Sequence, residues 1–318
     1  MPRVTSLASL LFALLFAAVA SAQALTPGDS SGSMEVGGLT RTYLVHVPAS
    51  YTGATAVPLV VDIHGWTSTA DQQRALSGFL ALSDVKGFIV TYPQGVGNAW
   101  NGGVCCNQTP TDVEFIRALV AKLETQAKID VRRVYVTGLS NGGAMTHRLA
   151  CEAADLFAAA APVAFPMSLS PPTSCHPSRH IPVLTFMGLT DMLVNYNGGA
   201  WPSAQMTFAY WRSNDACGTE TPDVNTAQGN SYCTYDTSCA DGVQVGLCSI
   251  TAQAFPGQFF DGHILYLNPD YNLAVLAWDF MSQFTLPPAP PVVPALPLAW
   301  WPIAVAALVA ATSSREKK

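Results

Sequence analysis

Charge is what this chain has least of. Asp, Glu, Lys and Arg make up 11% of its 318 residues, against about 25% in an average soluble protein. The net charge of -6 is mild and no basic block occurs. Nucleic-acid binding needs clustered Lys and Arg to replace phosphate counterions, so no nucleic-acid partner is expected. CxxC pairs are also missing. That removes a common framework for zinc, and no metal site is expected. No segment repeats, and the length allows one large domain or two small ones.

Apolar residues are plentiful, 49% of the chain, and part of that excess sits at the two ends. Arg3 precedes a nearly unbroken apolar run, Leu7 to Val19, and Ala20-Ser21-Ala22 is a small-x-small cleavage site. This is the layout of a secretory signal, residues 1–22, with a mature chain beginning near Gln23. No Cys follows the cleavage site, so no lipoprotein anchor is expected. At the other end, residues 285–294 are rich in proline and read as an extended linker, because proline cannot continue a helix or a central strand. Residues 295–318 follow, apolar from Ala295 to Ala311, with Trp300 and Trp301 inside and Arg315, Lys317 and Lys318 at the end. An apolar stretch closed by basic residues has the form of a membrane stop. It also resembles the C-terminal protein-sorting tags of Gram-negative bacteria. A sorting tag or a membrane anchor is therefore expected, with membrane or sorting machinery as partner. The location is periplasmic, cell-surface or extracellular.

Export places the chain in an oxidising compartment, where its eight Cys are expected to form disulfides. Spacing alone does not fix the pairs. For the adjacent Cys105 and Cys106 the expectation is a distant partner each, since a bond between neighbours is sterically awkward.

Between Leu39 and Phe284, residues 23–284 being the expected catalytic domain, strand-like and helix-like segments alternate. Arg41 to Val47, Val57 to Ile63, Phe88 to Tyr92, Arg133 to Thr137, Phe157 to Ala164, Pro182 to Phe186 and Ser249 to Phe255 read as strands. Asp112 to Lys128 carries apolar residues at helical spacing, with Thr111 or Asp112 as its cap. Asn141 to Ala154, Ser203 to Ser213 and Leu273 to Phe284 read as further helices. Short apolar strands separated by helices imply βαβ units and an α/β fold with a mostly parallel sheet, whose ligands bind at the carboxyl ends of the strands. The Cys-rich stretch Ala216 to Cys248 lacks a long periodic segment and reads as a loop insertion held by disulfides.

Gly138-Leu139-Ser140-Asn141-Gly142 matches G-x-S-x-G, the elbow that turns a strand sharply into a helix and projects a serine hydroxyl above the sheet edge. The apolar strand before it and the helix-compatible segment after it give the motif its required context. A serine hydroxyl needs a base, and the base needs an orienting carboxylate. On this fold the chain order is Ser, then acid, then His. Asp191 directly follows a strand candidate, whereas Asp155, Asp215, Asp223, Asp236 and Asp241 lie at helix ends or in the Cys-rich stretch, and Asp261 and Asp279 are weaker competitors. His176 and His180 precede Asp191, which leaves His263 as the base, in Asp261-Gly262-His263. Backbone N–H groups must meet the oxyanion. Those of Asn141 and of Trp66, in His64-Gly65-Trp66 after a strand, are the candidates. Trp66, Trp100 and Trp201 are candidate aromatic walls of a substrate site, with core packing the alternative for each.

Together these segments resemble the secreted polyhydroxybutyrate depolymerases and feruloyl or acetyl-xylan esterases, LpqC-type relatives within the α/β-hydrolase superfamily. The resemblance rests on Val60-Val-Asp-Ile-His-Gly65, on Trp100-Asn-Gly-Gly-Val-Cys-Cys106 with Asp112-Val-Glu-Phe-Ile116, on Gly138-Leu-Ser-Asn-Gly-Gly-Ala-Met145 with Arg148-Leu-Ala-Cys-Glu152, and on Asp191 with Tyr196-Asn-Gly-Gly199. It implies the α/β-hydrolase fold, the triad Ser140, Asp191 and His263, a polyester or plant cell-wall ester as substrate, and no metal or organic cofactor. It also implies the pairs Cys217–Cys248 and Cys151–Cys175. Two segments depart from the family pattern. Met187-Gly-Leu-Thr-Asp191 stands where His-Gly-Thr-Ala-Asp is usual, and His263-Ile-Leu-Tyr266 where the His is usually followed by Trp-Pro. Both changes touch the rim of the site and leave the triad intact. Two other readings stay open: a serine peptidase on the same fold, and a non-catalytic binding protein attached to the surface.

Overall fold

The computed structural model describes residues 24–103, 105–108, 111–169, 174–218, 223–251, 257–258 and 260–288. The expected signal segment and residues 289–318 of the expected tail lie outside them. The described residues up to Leu286 belong to one compact unit, and Pro287–Lys318 to a second. Among the described residues no helix is long and apolar enough to cross a membrane.

Ten strands form one sheet. In chain order they are β1 (Gly28–Val36), β2 (Leu39–Val47), β3 (Val57–Ile63), β4 (Ile89–Pro93), β5 (Ile129–Leu139), β6 (Ala159–Val163), β7 (Val183–Gly188), β8 (Asp223–Gln228), β9 (Ser231–Asp236) and β10 (Val245–Ile250). Across the sheet they run β1-β2-β4-β3-β5-β6-β7-β10-β9-β8. The central run from β4 to β10 is parallel, and β1, β2, β9 and β8 pair antiparallel at the two edges. The central strands are buried on both faces, which is why they read as unbroken apolar runs.

The helices are α1 (Ala70–Leu76), α2 (Phe79–Lys86), α3 (Asp112–Gln126), α4 (Asn141–Glu152), α5 (Ala204–Asn214) and α6 (Leu273–Met281). Alternation along β3 sends Leu59, Val61 and Ile63 to one face and Val60 to the other. The first face packs against α3, α4 and α5 around Phe115, Leu119 and Leu149. The second packs against α1, α2 and α6, where Phe88 stacks on Trp278 with ring centroids 4.2 Å apart. Side-chain caps start three helices. Thr69 closes a reciprocal capping box with Gln72 on α1, Ser203 accepts from Met206 N–H on α5, and Asn272 accepts from Val275 N–H on α6. Thr111 sits at the N-cap of α3 without a side-chain bond, and Asp112 instead turns inward to a buried ion pair with Arg41, 2.8 Å long.

Four expectations need correction. Ala216 to Cys248 is not a loop: it builds β8 and β9 and leads into β10, and so extends the sheet. Cys217 bonds Cys239 and Cys233 bonds Cys248, rather than Cys217 bonding Cys248, because antiparallel pairing sets Cys233 directly opposite Cys248. Cys151–Cys175 is present as expected. Cys105 and Cys106 bond each other. Their loop folds back so that Gly102 N–H reaches Cys105 O and Cys106 N–H reaches Trp100 O, and every other cysteine has its own partner. The last strand, expected over Ser249 to Phe255, runs instead over Val245–Ile250, and residues 252–255 of that expectation lie outside the described residues.

Candidate active site

The carboxyl ends of β3, β5, β7 and β10 lie at one end of the parallel sheet, and the loops that leave them gather the candidate residues. β5 ends at Leu139, and Ser140 follows with φ 56° and ψ −119° before α4 begins at Asn141. A positive φ is unusual for a residue with a side chain and marks a backbone held by its surroundings. Ser140 N–H donates to Val163 O of β6 (2.8 Å), and Ser140 O accepts from Ala144 N–H (2.9 Å). A Cβ on Gly142 would collide with Ile63 O of β3, so only glycine lets α4 lie this close to the sheet.

Asp191 follows β7 by three residues. Its Oδ1 accepts from Leu193 N–H and Val194 N–H, both at 2.8 Å. Its Oδ2 lies 2.7 Å from His263 Nδ1. The carboxylate accepts only, so Nδ1 carries the proton and Nε2 is left as an acceptor. The pair is almost dry, with side-chain exposures of 4% for His263 and 0% for Asp191. Gly262, with φ 73°, lets the His263 loop press on this turn, because a Cβ there would collide with the backbone of Thr190 and Asp191. Met192 N–H donates to Asp261 O and ties the two loops together (3.3 Å).

Ser140 and His263 line one cavity of about 800 Å³, large enough for a ligand of drug size. Its apolar walls come from Trp66, Ala75, Leu76, Leu139, Leu193, Phe260 and Ile264, and its polar groups from Thr67, Ser68 and Gln72. Among the described lining residues His263 is the one His, Asp, Glu, Lys, Arg or Tyr. Trp66 at 61% and Phe260 at 51% exposure stand at the opening.

The loop after β3 sits against the elbow: a Cβ on Gly65 would lie 3.4 Å from that of Ser140. His64 is clamped beneath it. Its Nδ1–H donates to Gly65 O (2.7 Å) and its Nε2 accepts from Gly95 N–H (2.9 Å). Burial pushes its pKa down to about 4, so it is a neutral structural residue at ordinary pH. Asn141 uses its side chain on Trp100, accepting from Trp100 N–H (2.7 Å) and donating to Trp100 O (3.0 Å). Its own N–H belongs to the first turn of α4, where helix N–H groups have no helical partner.

The three candidate aromatic walls separate. Trp66 lines the cavity. Trp100 does not: it is wholly buried, donates Nε1–H to His64 O (3.0 Å) and stacks toward Phe115, so it holds the floor of the loop. Trp201 is half-buried against Phe165, with centroids 5.1 Å apart, and does not line the cavity. Leu76, Gln72, Leu193, Phe260 and Ile264 are walls that sequence reasoning missed. Phe260 and Ile264 flank His263 in the chain, and that proximity was the available signal. The segment that becomes α1, ADQQRAL, carries no apolar period to announce it.

Residues 42–206 match the dienelactone hydrolase family, a little over half of the chain. The chain is 33% identical over 263 residues to feruloyl esterase B of Piromyces equi, covering 78% of this chain and 46% of that protein. It is 39% identical over 172 residues to poly(3-hydroxyalkanoate) depolymerase C of Paucimonas lemoignei, covering 49% and 39%. This chain thus spans less than half the length of these curated relatives. Among solved structures, acetyl xylan esterase from Aspergillus awamori superposes with a TM-score of 0.60 at 19% identity, covering 80% of this chain and 99% of that one. A likeness at that identity shows the fold, which is of α/β-hydrolase type.

Proposed function

The chain belongs to the dienelactone hydrolase family, and from that premise we propose that it is a carboxylic-ester hydrolase working through an acyl-enzyme on Ser140. The observation that carries the reading is the dry His263–Asp191 pair, 2.7 Å long, opening on the cavity that Ser140 also lines. His263 Nε2 takes the proton as Ser140 Oγ attacks the ester carbonyl, and returns it to the departing alcohol oxygen. Asp191 holds the imidazole in that tautomer and offsets its charge while it is protonated. The N–H groups of Asn141 and Trp66 receive the oxyanion. Water, deprotonated by His263, then attacks the acyl carbon and releases Ser140 and the acid. Each proton that leaves a reacting oxygen is returned to one, so the cycle closes without a metal or organic cofactor.

The substrate we propose is a polyester or plant cell-wall ester, on the strength of relatives named feruloyl esterase and poly(3-hydroxyalkanoate) depolymerase. A cavity whose described lining is mostly apolar and holds no Lys or Arg suits a neutral acyl group. We assign residues 23–284 to the catalytic domain, 1–22 to an export signal, 285–294 to a linker and 295–318 to a sorting tag or membrane anchor. An exported protein whose first residue is not near Gln23 refutes the signal assignment.

The test is hydrolysis of short p-nitrophenyl esters, methyl ferulate, acetylated xylan and polyhydroxybutyrate by the chain and its Ser140→Ala variant. Loss of about a thousandfold or more in the variant is expected. Cleavage of peptide anilides in preference to esters would favour a peptidase instead. Absence of any turnover from folded protein would leave a binding role.

A further inference from the structure

Gln72 is exposed at the rim of the cavity, with its amide held in one orientation. Its Oε1 accepts from Thr69 N–H (3.1 Å) and from Ser68 Oγ–H (3.1 Å). Thr69 N–H can only donate, so the atom that meets it must be the amide oxygen, and the flip of the amide is fixed by chemistry. Thr69 Oγ1 in turn accepts from Gln72 N–H (3.2 Å), which locks the start of α1. The Nε2 amino group is then turned away from the helix cap, and no described residue accepts from it. Among the described lining residues, which are otherwise apolar walls, the hydroxyls of Thr67, Ser68 and Ser140, and His263, this is the one side-chain amide donor.

We propose that Gln72 is a specificity-determining residue: its Nε2–H donates to a neutral oxygen carried by the acyl part of the substrate, away from the scissile ester. The inference rests on the ester-hydrolase reading above. A donor at the rim of a mostly apolar cavity discriminates by what it loses when a bound acyl group covers it. An acyl group without the oxygen leaves the amino group less well satisfied once water is displaced, and binds less well. Two acyl classes carry such an oxygen: phenolic acyl groups with ring hydroxyl or methoxy substituents, and hydroxyalkanoyl groups of a polyester.

The experiment compares kcat/KM within matched pairs, methyl ferulate against methyl cinnamate and methyl 3-hydroxybutyrate against methyl butyrate, in wild type, Gln72→Glu and Gln72→Met. Gln72→Glu keeps an oxygen for Thr69 N–H, so α1 stays capped while the donor is lost. Gln72→Met loses both the side-chain half of the cap, the acceptor for Thr69 N–H, and the donor at similar size. Wild type is expected to favour the oxygen-bearing member of one pair. In both variants that preference falls about 3–10-fold, the worth of one hydrogen bond, through KM more than kcat. The pair that responds identifies the acyl class. A loss confined to Gln72→Met would show that only the cap matters and overturns the proposal, as does an unchanged preference in both variants while wild type turns over p-nitrophenyl acetate. No ester turnover by wild type at all overturns the hydrolase reading and the proposal together.

Discussion

Asp62 offers a quantitative test of how burial is tolerated behind the site. It lies on β3, wholly buried, with Oδ1 accepting from Gln73 Nε2–H (2.6 Å) and Oδ2 without a partner. Burial raises the Asp62 pKa from 3.8 to about 7, against the lowering effect of the Gln73 hydrogen bond and the nearby Ser77 hydroxyl. The folded chain therefore keeps this proton up to about pH 7, whereas the unfolded chain loses it near 3.8. The stability this group contributes is fully present below pH 3.8 and declines as pH rises, levelling off above about 7. At about 1.4 kcal/mol per unit, the full span is about 4 kcal/mol. Asp62→Asn removes the titration and keeps the acceptor for Gln73. Denaturant unfolding at pH 4, 5.5, 7 and 8 is the assay. The variant is expected to match wild type within about 1 kcal/mol at pH 4 and to exceed it by up to about 4 kcal/mol at pH 8. Asp215, also raised to about 7 by burial, and the buried His64 and His147 titrate in both proteins and cancel in the difference. Parallel profiles for the two proteins would refute the argument.

Two further outcomes follow from the same geometry. The bridges Cys151–Cys175, Cys217–Cys239 and Cys233–Cys248 close loops of 24, 22 and 15 residues, so replacing any one pair by serine should lower unfolding free energy by about 3 kcal/mol. Cys105–Cys106 spans neighbours and closes no loop, so replacing it should change global stability much less, and equal losses for all four pairs in calorimetry would contradict this. Trp100→Phe leaves His64 O unpaired in the interior and should destabilise by about 1–3 kcal/mol. KM for the best ester should change less than about twofold, and a large rise in KM would return Trp100 to the substrate wall.

The central sheet was legible because its strands are buried on both faces and read as short apolar runs between turn residues. The elbow motif after one strand and the Asp after another then placed Ser140 and Asp191 at the carboxyl end of the sheet. β1 was not legible, since GDSSGSMEV is a polar, exposed edge held by backbone pairing to β2. β8 and β9 were hidden for a related reason: an antiparallel hairpin at the far edge needs no strong alternation when a disulfide joins it to β10. Within the candidate site, Ser140, Asp191 and His263 were picked out by motif and chain order, and the fold sets Asp191 beside His263 and Ser140 in the same cavity. The walls were not picked out, because Leu76, Phe260 and Ile264 are ordinary apolar residues until helix α1 and the His263 loop bring them to one cavity. Trp100 misled for the converse reason. A Trp beside a Gly-rich loop looks like a binding surface, and only the bond from Nε1–H to His64 O shows that it faces inward.

The most direct test of the central claim is covalent labelling. A fluorophosphonate probe, which loses fluoride as it bonds an activated serine oxygen, is incubated with the full chain, and the digest is read by mass spectrometry. The account predicts one adduct, on the peptide bearing Ser140, absent from Ser140→Ala and strongly slowed in His263→Ala and Asp191→Asn. Labelling of another residue at comparable rate, or labelling at Ser140 that His263→Ala leaves unslowed, would contradict it.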